Sequence, residues 1–269
     1  MSRHRTGWCT LLATGLAIAG ITPAGAQAGS LPDARPDGRL LRPAVDSIIV
    51  IARSADRADT VGRAVQSLES IAGRRGNEWL QVYRSFESDG STAVDSLVMD
   101  SRTLRPLRES RHNVMGVLHL TYSASGARGL IEPSGGSPRM FDTTFTAPVF
   151  ASASVDAVAR ALPLDSGYTS KLDLYYPFPA PLGVRRVEVS VVGSERVPDQ
   201  AGRQVECWVV HVTTPGAFTR FWIDKSSRRL VQTADGYDTL ILFRDVSGLE
   251  PGQRSPARNE TPTPVGREP

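Results

Sequence analysis

From Ala44 onward the chain alternates apolar and polar residues with a period of two. In Val184–Val192, Val187, Val189 and Val191 fall on one face and Arg186, Glu188 and Ser190 on the other, the pattern of a strand with one buried side. The same alternation predicts strands over 47–53, 63–71, 78–87, 92–100, 106–115, 116–123, 126–132, 139–146, 168–175, 203–213, 217–224, 229–234 and 237–245. Asp89-Gly90, Ser125-Gly126, Gly135-Gly136, Pro215-Gly216 and Asp235-Gly236 supply turn residues between them. So many strands at hairpin spacing predict one large antiparallel sheet. A sheet of that width must curl or close to protect its edges.

One stretch departs from the period of two. Val155, Val158, Ala159 and Leu162 follow a helical stripe, Ser154 is placed as an N-cap, Asp156 suits the positive end of the helix dipole, and Pro163 ends the run. A short helix among strands is expected to lie on the concave face of the sheet. Val61, Val65, Leu68 and Ile71 also fit a helical stripe, but the segments that follow pair naturally with 63–71, which is read as strand.

Two strands end in the same phrase. Val98-Met99-Asp100-Ser101-Arg102-Thr103-Leu104-Arg105 and Trp222-Ile223-Asp224-Lys225-Ser226-Ser227-Arg228-Arg229 each close an apolar run with Asp, place a hydroxyl three residues later and an Arg two after that. Asp and Ser/Thr side chains can accept the N–H groups of a tight turn, so Asp100, Thr103, Asp224 and Ser227 are predicted turn-capping residues and the two Arg residues strand-surface charges.

The ends of the chain carry other signals. Arg3, His4 and Arg5 precede an apolar run from Cys9 to Ile21, and Ala24-Gly25-Ala26 forms a small-x-small site, so 1–26 reads as a secretory signal peptide cleaved before Gln27. The run is shorter than the roughly 20 residues of a membrane-spanning helix, and no second one follows. Residues 27–43 and 251–269 are rich in Pro, Gly and polar residues without a period and are expected to be disordered, leaving one β-rich domain over 44–250. The predicted location is therefore exported, periplasmic or secreted, with association to the outer membrane open.

Cleavage changes the composition. Loss of Arg3 and Arg5 from 31 basic residues leaves 29 against 28 acidic ones, so the formal charge falls from +3 to +1. Nearly all cations are Arg, without interleaved aromatic platforms, and a nucleic-acid partner is not expected. Cleavage also removes Cys9 and leaves Cys207 as the only thiol, so the core rather than a disulfide must hold the fold.

The Asp100 turn, the Leu162-Pro163-Leu164 step followed by Gly167 and the 171–176 strand, and the Phe221-Trp222-Ile223-Asp224 turn together resemble the DUF3108 family of bacterial exported proteins, over about Glu78 to Phe243. That family is similar in turn to the lipoprotein carriers LolA and LolB. The resemblance implies an incomplete antiparallel barrel wrapped around one helix, with an apolar interior and no established activity.

Candidate chemistry is sparse. There is no Gly-x-Ser-x-Gly elbow, no His-Glu-x-x-His, no phosphate-cradling loop and no dinucleotide fingerprint. Cys207 and His211 on one strand would stand roughly 13 Å apart, too far for a nucleophile and its base. His112 and His119 lack a nearby carboxylate pair, so neither a metal nor another cofactor is expected. Aromatic residues carry what signal remains. Trp79 and Tyr83 share a face, Trp208 lies with Val210 and Val212, and Phe218 and Trp222 share another. These residues either fill the core or line a cavity for a lipid or other hydrophobic small molecule, with Val155, Val158 and Leu162 of the helix as a plug. Tyr176 and Phe178, in a Pro-rich loop, are candidates for its rim or for contact with an envelope protein. The leading expectation is a non-enzymatic, lipid-binding envelope protein; a scaffold with a packed core and an unrecognised hydrolase stay open beside it.

Overall fold

Alternation lays the chain out as a meander of strands. The computed structural model describes residues 31–54, 57–74, 76–86, 92–177, 182–199, 201–214, 217–235 and 239–245. Its strands are β1 (Ala44–Ser54), β2 (Arg57–Gly73), β3 (Gly76–Phe86), β4 (Thr92–Asp100), β5 (Pro106–Asn113), β6 (Gly116–Ser123), β7 (Gly126–Pro133), β8 (Arg139–Thr144), β9 (Phe150–Ala151), β10 (Thr169–Tyr176), β11 (Gly183–Pro198), β12 (Gln204–Thr214), β13 (Ala217–Asp224), β14 (Leu230–Asp235) and β15 (Thr239–Asp245). The segment 63–71 is strand, inside β2.

All fifteen strands belong to one sheet, in the order β8-β7-β6-β5-β4-β3-β2-β1-β15-β14-β13-β12-β11-β10-β9. Every pair is antiparallel except β9 with β10, and β1 joins the two halves by pairing with β15. Only residues 145–149 link β8, at one edge, to β9, at the other. Five linking residues reach about 20 Å at most, so the chain itself requires the two edges to lie close together. The sheet is curled but not closed. Tyr175 of β10 packs with Leu118, Leu120, Ala127 and Ile131 of β6 and β7, its ring centroid 4.9 Å from Phe145 and 6.1 Å from Tyr122. Aromatic packing thus holds the seam where ladder hydrogen bonds are missing.

Inside the curl lies α1 (Val155–Arg160), preceded by a 3₁₀ turn over Ser152–Ser154. Ala157, Val158, Ala159, Arg160, Ala161 and Leu162 are all buried, so the segment is a plug surrounded by sheet. Full burial of Val158 and Leu162 contributes about 1.5–3 kcal/mol each. Ser154 holds the N-cap position, but its side chain accepts no helix N–H; its hydroxyl donates back to Ala151 O at 2.8 Å.

The two Asp corners build the same turn. Asp100 Oδ1 accepts from the N–H groups of Arg102 (3.1 Å) and Thr103 (2.7 Å) and from the Thr103 hydroxyl (2.7 Å). Asp224 accepts from the N–H of Ser226 (2.8 Å) and from the Ser227 hydroxyl (2.7 Å). Each Asp N–H donates to the carbonyl five residues on, at 2.9 Å in both corners. Each turn is followed by a bulge, with Leu107 of β5 and Val231 of β14 as the extra residue opposite Val98/Met99 and Trp222/Ile223, and both turns put the residue after the hydroxyl in the left-handed region, Leu104 at φ 56° and Arg228 at φ 59°. The following Arg residues are not simple surface charges. The Arg105 guanidinium lies 4.0 Å from the Phe150 ring centroid, and Arg229 is paired with Asp46 of β1.

Both corners are tied to the end of α1. Arg160 Nε donates to Arg228 O at 2.8 Å, and Arg228 Nη1 donates to Leu162 O at 2.9 Å. The first corner is reached through residues 31–43, expected from composition to be a disordered linker but here part of the fold. Ala34 and Leu41 are buried in the main core, a 3₁₀ turn forms over Gly38–Leu40, Gly38 N–H donates to Arg102 O and Asp37 N–H to Ala161 O, both at 2.8 Å. The Trp79 indole donates to Gly38 O at 3.2 Å. Tertiary acceptors and a place for Leu41 stabilise what local propensity leaves unstructured.

Candidate functional site

The concave face of β2–β5 is not uniformly apolar. Register places Gln66, Tyr83, Asp95 and Arg111 in one row across the four strands, and Leu68, Gln81, Leu97 and Glu109 in the next. Facing them are Phe221 and Thr233, cross-strand partners on β13 and β14, with Leu230, Phe243 and Tyr176. Between these walls, floored by Ser152, Ala153 and Asp156 at the start of the plug, is a cavity of about 420 Å³. Its size falls within the roughly 300–1,000 Å³ range of small-molecule sites.

The polar wall is tied together. Asp156 accepts from Gln66 Nε2 at 2.7 Å on one oxygen and from Gln81 Nε2 at 3.1 Å on the other, and Gln81 Nε2 also donates to Ala153 O at 3.2 Å. The two amides therefore pin the plug to the sheet. Glu109 accepts from Arg111 Nε at 2.6 Å and from the Tyr122 hydroxyl. Burial, with the Glu109 charge and that hydrogen bond added, holds the Tyr122 phenol well above its ordinary range, so it stays a donor. Asp95 accepts from Asn113 Nδ2 at 3.2 Å and from the His112 N–H; burial raises its carboxyl pKa, with the Arg111 charge and these bonds opposing.

Of the predicted ligand residues, Tyr83 and Tyr176 line this cavity. Trp79, Val158 and Leu162 lie within the main core, and Val155 and Trp208 pack against it. Phe218 and Trp222 share a face, but it is the outer one. Phe218 is 38% exposed and stacks on His211, and Trp222 belongs to a satellite cluster with Cys207, Val209, Val197 and Val231, its indole donating to Glu195. Phe221, of opposite parity, is the aromatic residue of β13 that faces the cavity. Phe178 lies outside the described residues. Cys207 is fully buried in the satellite cluster, and burial, with the Asp224, Glu195 and Glu206 charges, pushes its thiol up to about 12.

Sequence reading missed the polar wall, because a polar residue in a strand reads as solvent-facing. Parity was the available signal. Gln81 lies between Trp79 and Tyr83 at two-residue spacing and so shares their inward face. Among the described residues no histidine lines the cavity, and no group of three His, Cys, Asp or Glu side chains is placed to hold a metal ion. The arrangement offers hydrogen bonds, charge and apolar surface to a bound molecule.

A family model described as "Protein of unknown function (DUF3108)" matches residues 57–244. No curated protein matches the chain. Among solved structures, the chain is similar to a beta-barrel-like protein of domain of unknown function DUF1849 from Brucella abortus, at 16% identity and a TM-score of 0.42, covering 77% of this chain and 96% of that one.

Proposed function

The chain belongs to the DUF3108 family of proteins of unknown function, and on that premise we propose that it is an exported, non-enzymatic binding protein whose concave-face cavity holds one small amphipathic molecule. The observation that carries this reading is the divided lining: Leu97, Phe221, Leu230 and Phe243 offer apolar surface, and Asp95, Glu109, Arg111 and Asp156 stand across the same space. A site of about 420 Å³ suits a single-chain molecule. Burying each CH₂ group contributes about 0.8 kcal/mol, so a short chain with one polar head binds without many further contacts. Export rests on the signal-like leader, and the absence of a nucleophile–base pair from the lining favours binding over catalysis.

Native mass spectrometry of the mature chain, purified from its own envelope, is expected to show a retained small molecule. Titration of the emptied protein with 1-octanol is expected to raise its melting temperature saturably, and Thr233→Phe, which fills the cavity, to abolish that response. No retained mass together with no octanol response overturns the reading and leaves a packed scaffold.

A further inference from the structure

Three carboxylates and one guanidinium line the polar wall, and their partners are unequal. Arg111 is committed to Glu109 through Nε at 2.6 Å. Asp156 is held by two glutamine amides and also faces the charge of the buried Arg160, one helical turn on. Asp95 has the side-chain amide of Asn113 and one backbone N–H as hydrogen-bond partners and shares the Arg111 charge with Glu109. A second, independent acceptor stands in the same wall. Gln81 is 7% exposed and lines the cavity; with Nε2 used on Ala153 O and Asp156, its carbonyl oxygen Oε1 has no donor.

Acceptors and negative charge therefore exceed donors and positive charge at this end of the cavity. A buried acceptor without a donor is unfavourable, and a half-buried carboxylate is stabilised by a nearby cation. We infer that the cavity selects an amphiphile with a cationic, N–H-bearing head, such as a primary ammonium, seated against Asp95 with its chain along Phe221, Leu230 and Phe243. An anionic head would meet Asp95 and Asp156 while Arg111, the one cation among the described lining residues, is held by Glu109. The inference rests on the cavity being a ligand site, as proposed above, and adds the sign of the ligand's charge.

Matched eight-carbon probes separate the two ideas. Titrated calorimetrically into the mature chain at low ionic strength, octylammonium is expected to bind at least tenfold more tightly than 1-octanol, and octanoate more weakly than either. Asp95→Asn is expected to bring octylammonium to within about threefold of octanol. Octanol binding with octanoate equal to or tighter than octylammonium overturns the charge preference and leaves the binding reading standing. No binding by any of the three overturns both. The ranking in the parent protein decides the matter even if the Asp95 variant fails to fold.

Discussion

At the β4–β5 corner the residue in the left-handed region is Leu104, fully buried against the main core; at the β13–β14 corner it is Arg228, half-buried, with its guanidinium on Leu162 O. The Asp side chain, hydroxyl and backbone bonds around them are nearly the same. Local sequence thus specifies the turn, and the tertiary surroundings specify what its most constrained residue does. Leu in the left-handed region is unfavourable by about 1–2 kcal/mol. Full burial of its side chain contributes about 1.5–3 kcal/mol, enough to keep it there. Arg228 gains no such burial, and its place is explained by two bonds to the plug segment: its guanidinium donates to Leu162 O and its carbonyl accepts from Arg160 Nε.

If that contrast is right, Leu104→Ala should destabilise by about 2–5 kcal/mol, the cost of a core cavity. Arg228→Ala should lose only about 1–2 kcal/mol, measured for both as shifts in urea midpoint at unchanged m-value. Equal losses would mean that the two corners are interchangeable. Second in size to Leu104→Ala is Gly38→Ala. Its added Cβ would sit 2.2 Å from the backbone Ser101 O, so the 31–43 segment must lift from the first corner. A loss of about 2–4 kcal/mol is expected, with faster hydrogen exchange at the Trp79 indole. An unchanged midpoint would show that this segment does not brace the first corner.

The capping Asp residues should behave alike. Burial disfavours each charged carboxylate, but the Thr103 and Arg102 bonds to Asp100, and the Ser227 and Ser226 bonds to Asp224, outweigh it and leave both pKa values lowered. A carboxylate whose folded-state pKa is depressed contributes stability above its unfolded value, near 3.9, and loses it as pH falls through the folded value. Asp100→Ala and Asp224→Ala should each lose about 1–2 kcal/mol at pH 7 and show a shallower decline in stability below about pH 4. An acid limb as steep as the parent's in both variants would remove the capping role. The smallest effect is expected for Arg228→Gly. Relief of left-handed strain offsets the lost bond to Leu162 O, so the midpoint should move by less than about 1 kcal/mol, whereas Leu104→Gly gains the same relief but still empties the core, so its loss should stay above about 1 kcal/mol and near that of Leu104→Ala.

The meander was legible because strands of period two with Gly-rich turns allow few alternatives. The plug was legible because Val155, Val158 and Leu162 break that period. The inner face of β12 and β13 was not, because both parities are apolar. Cys207 and Val209 are buried on one side, Val210 and Val212 on the other, so alternation could not say whether Trp222 or Phe221 faced the cavity. The bulges shift parity by one residue, and nothing local announces them.

By itself, then, the sequence determined the periodicities, the turn chemistry of Asp100 and Asp224 and the membership of the aromatic pairs, all of which depend on residues close in the chain. Only the tertiary structure decided which face of β13 looks inward, that residues 31–43 belong to the fold, and that Gln66, Gln81, Asp95, Glu109, Arg111 and Asp156 meet in one wall. Those are matters of register, curl and satisfied buried polar groups, set between residues as distant as Gln66 and Asp156.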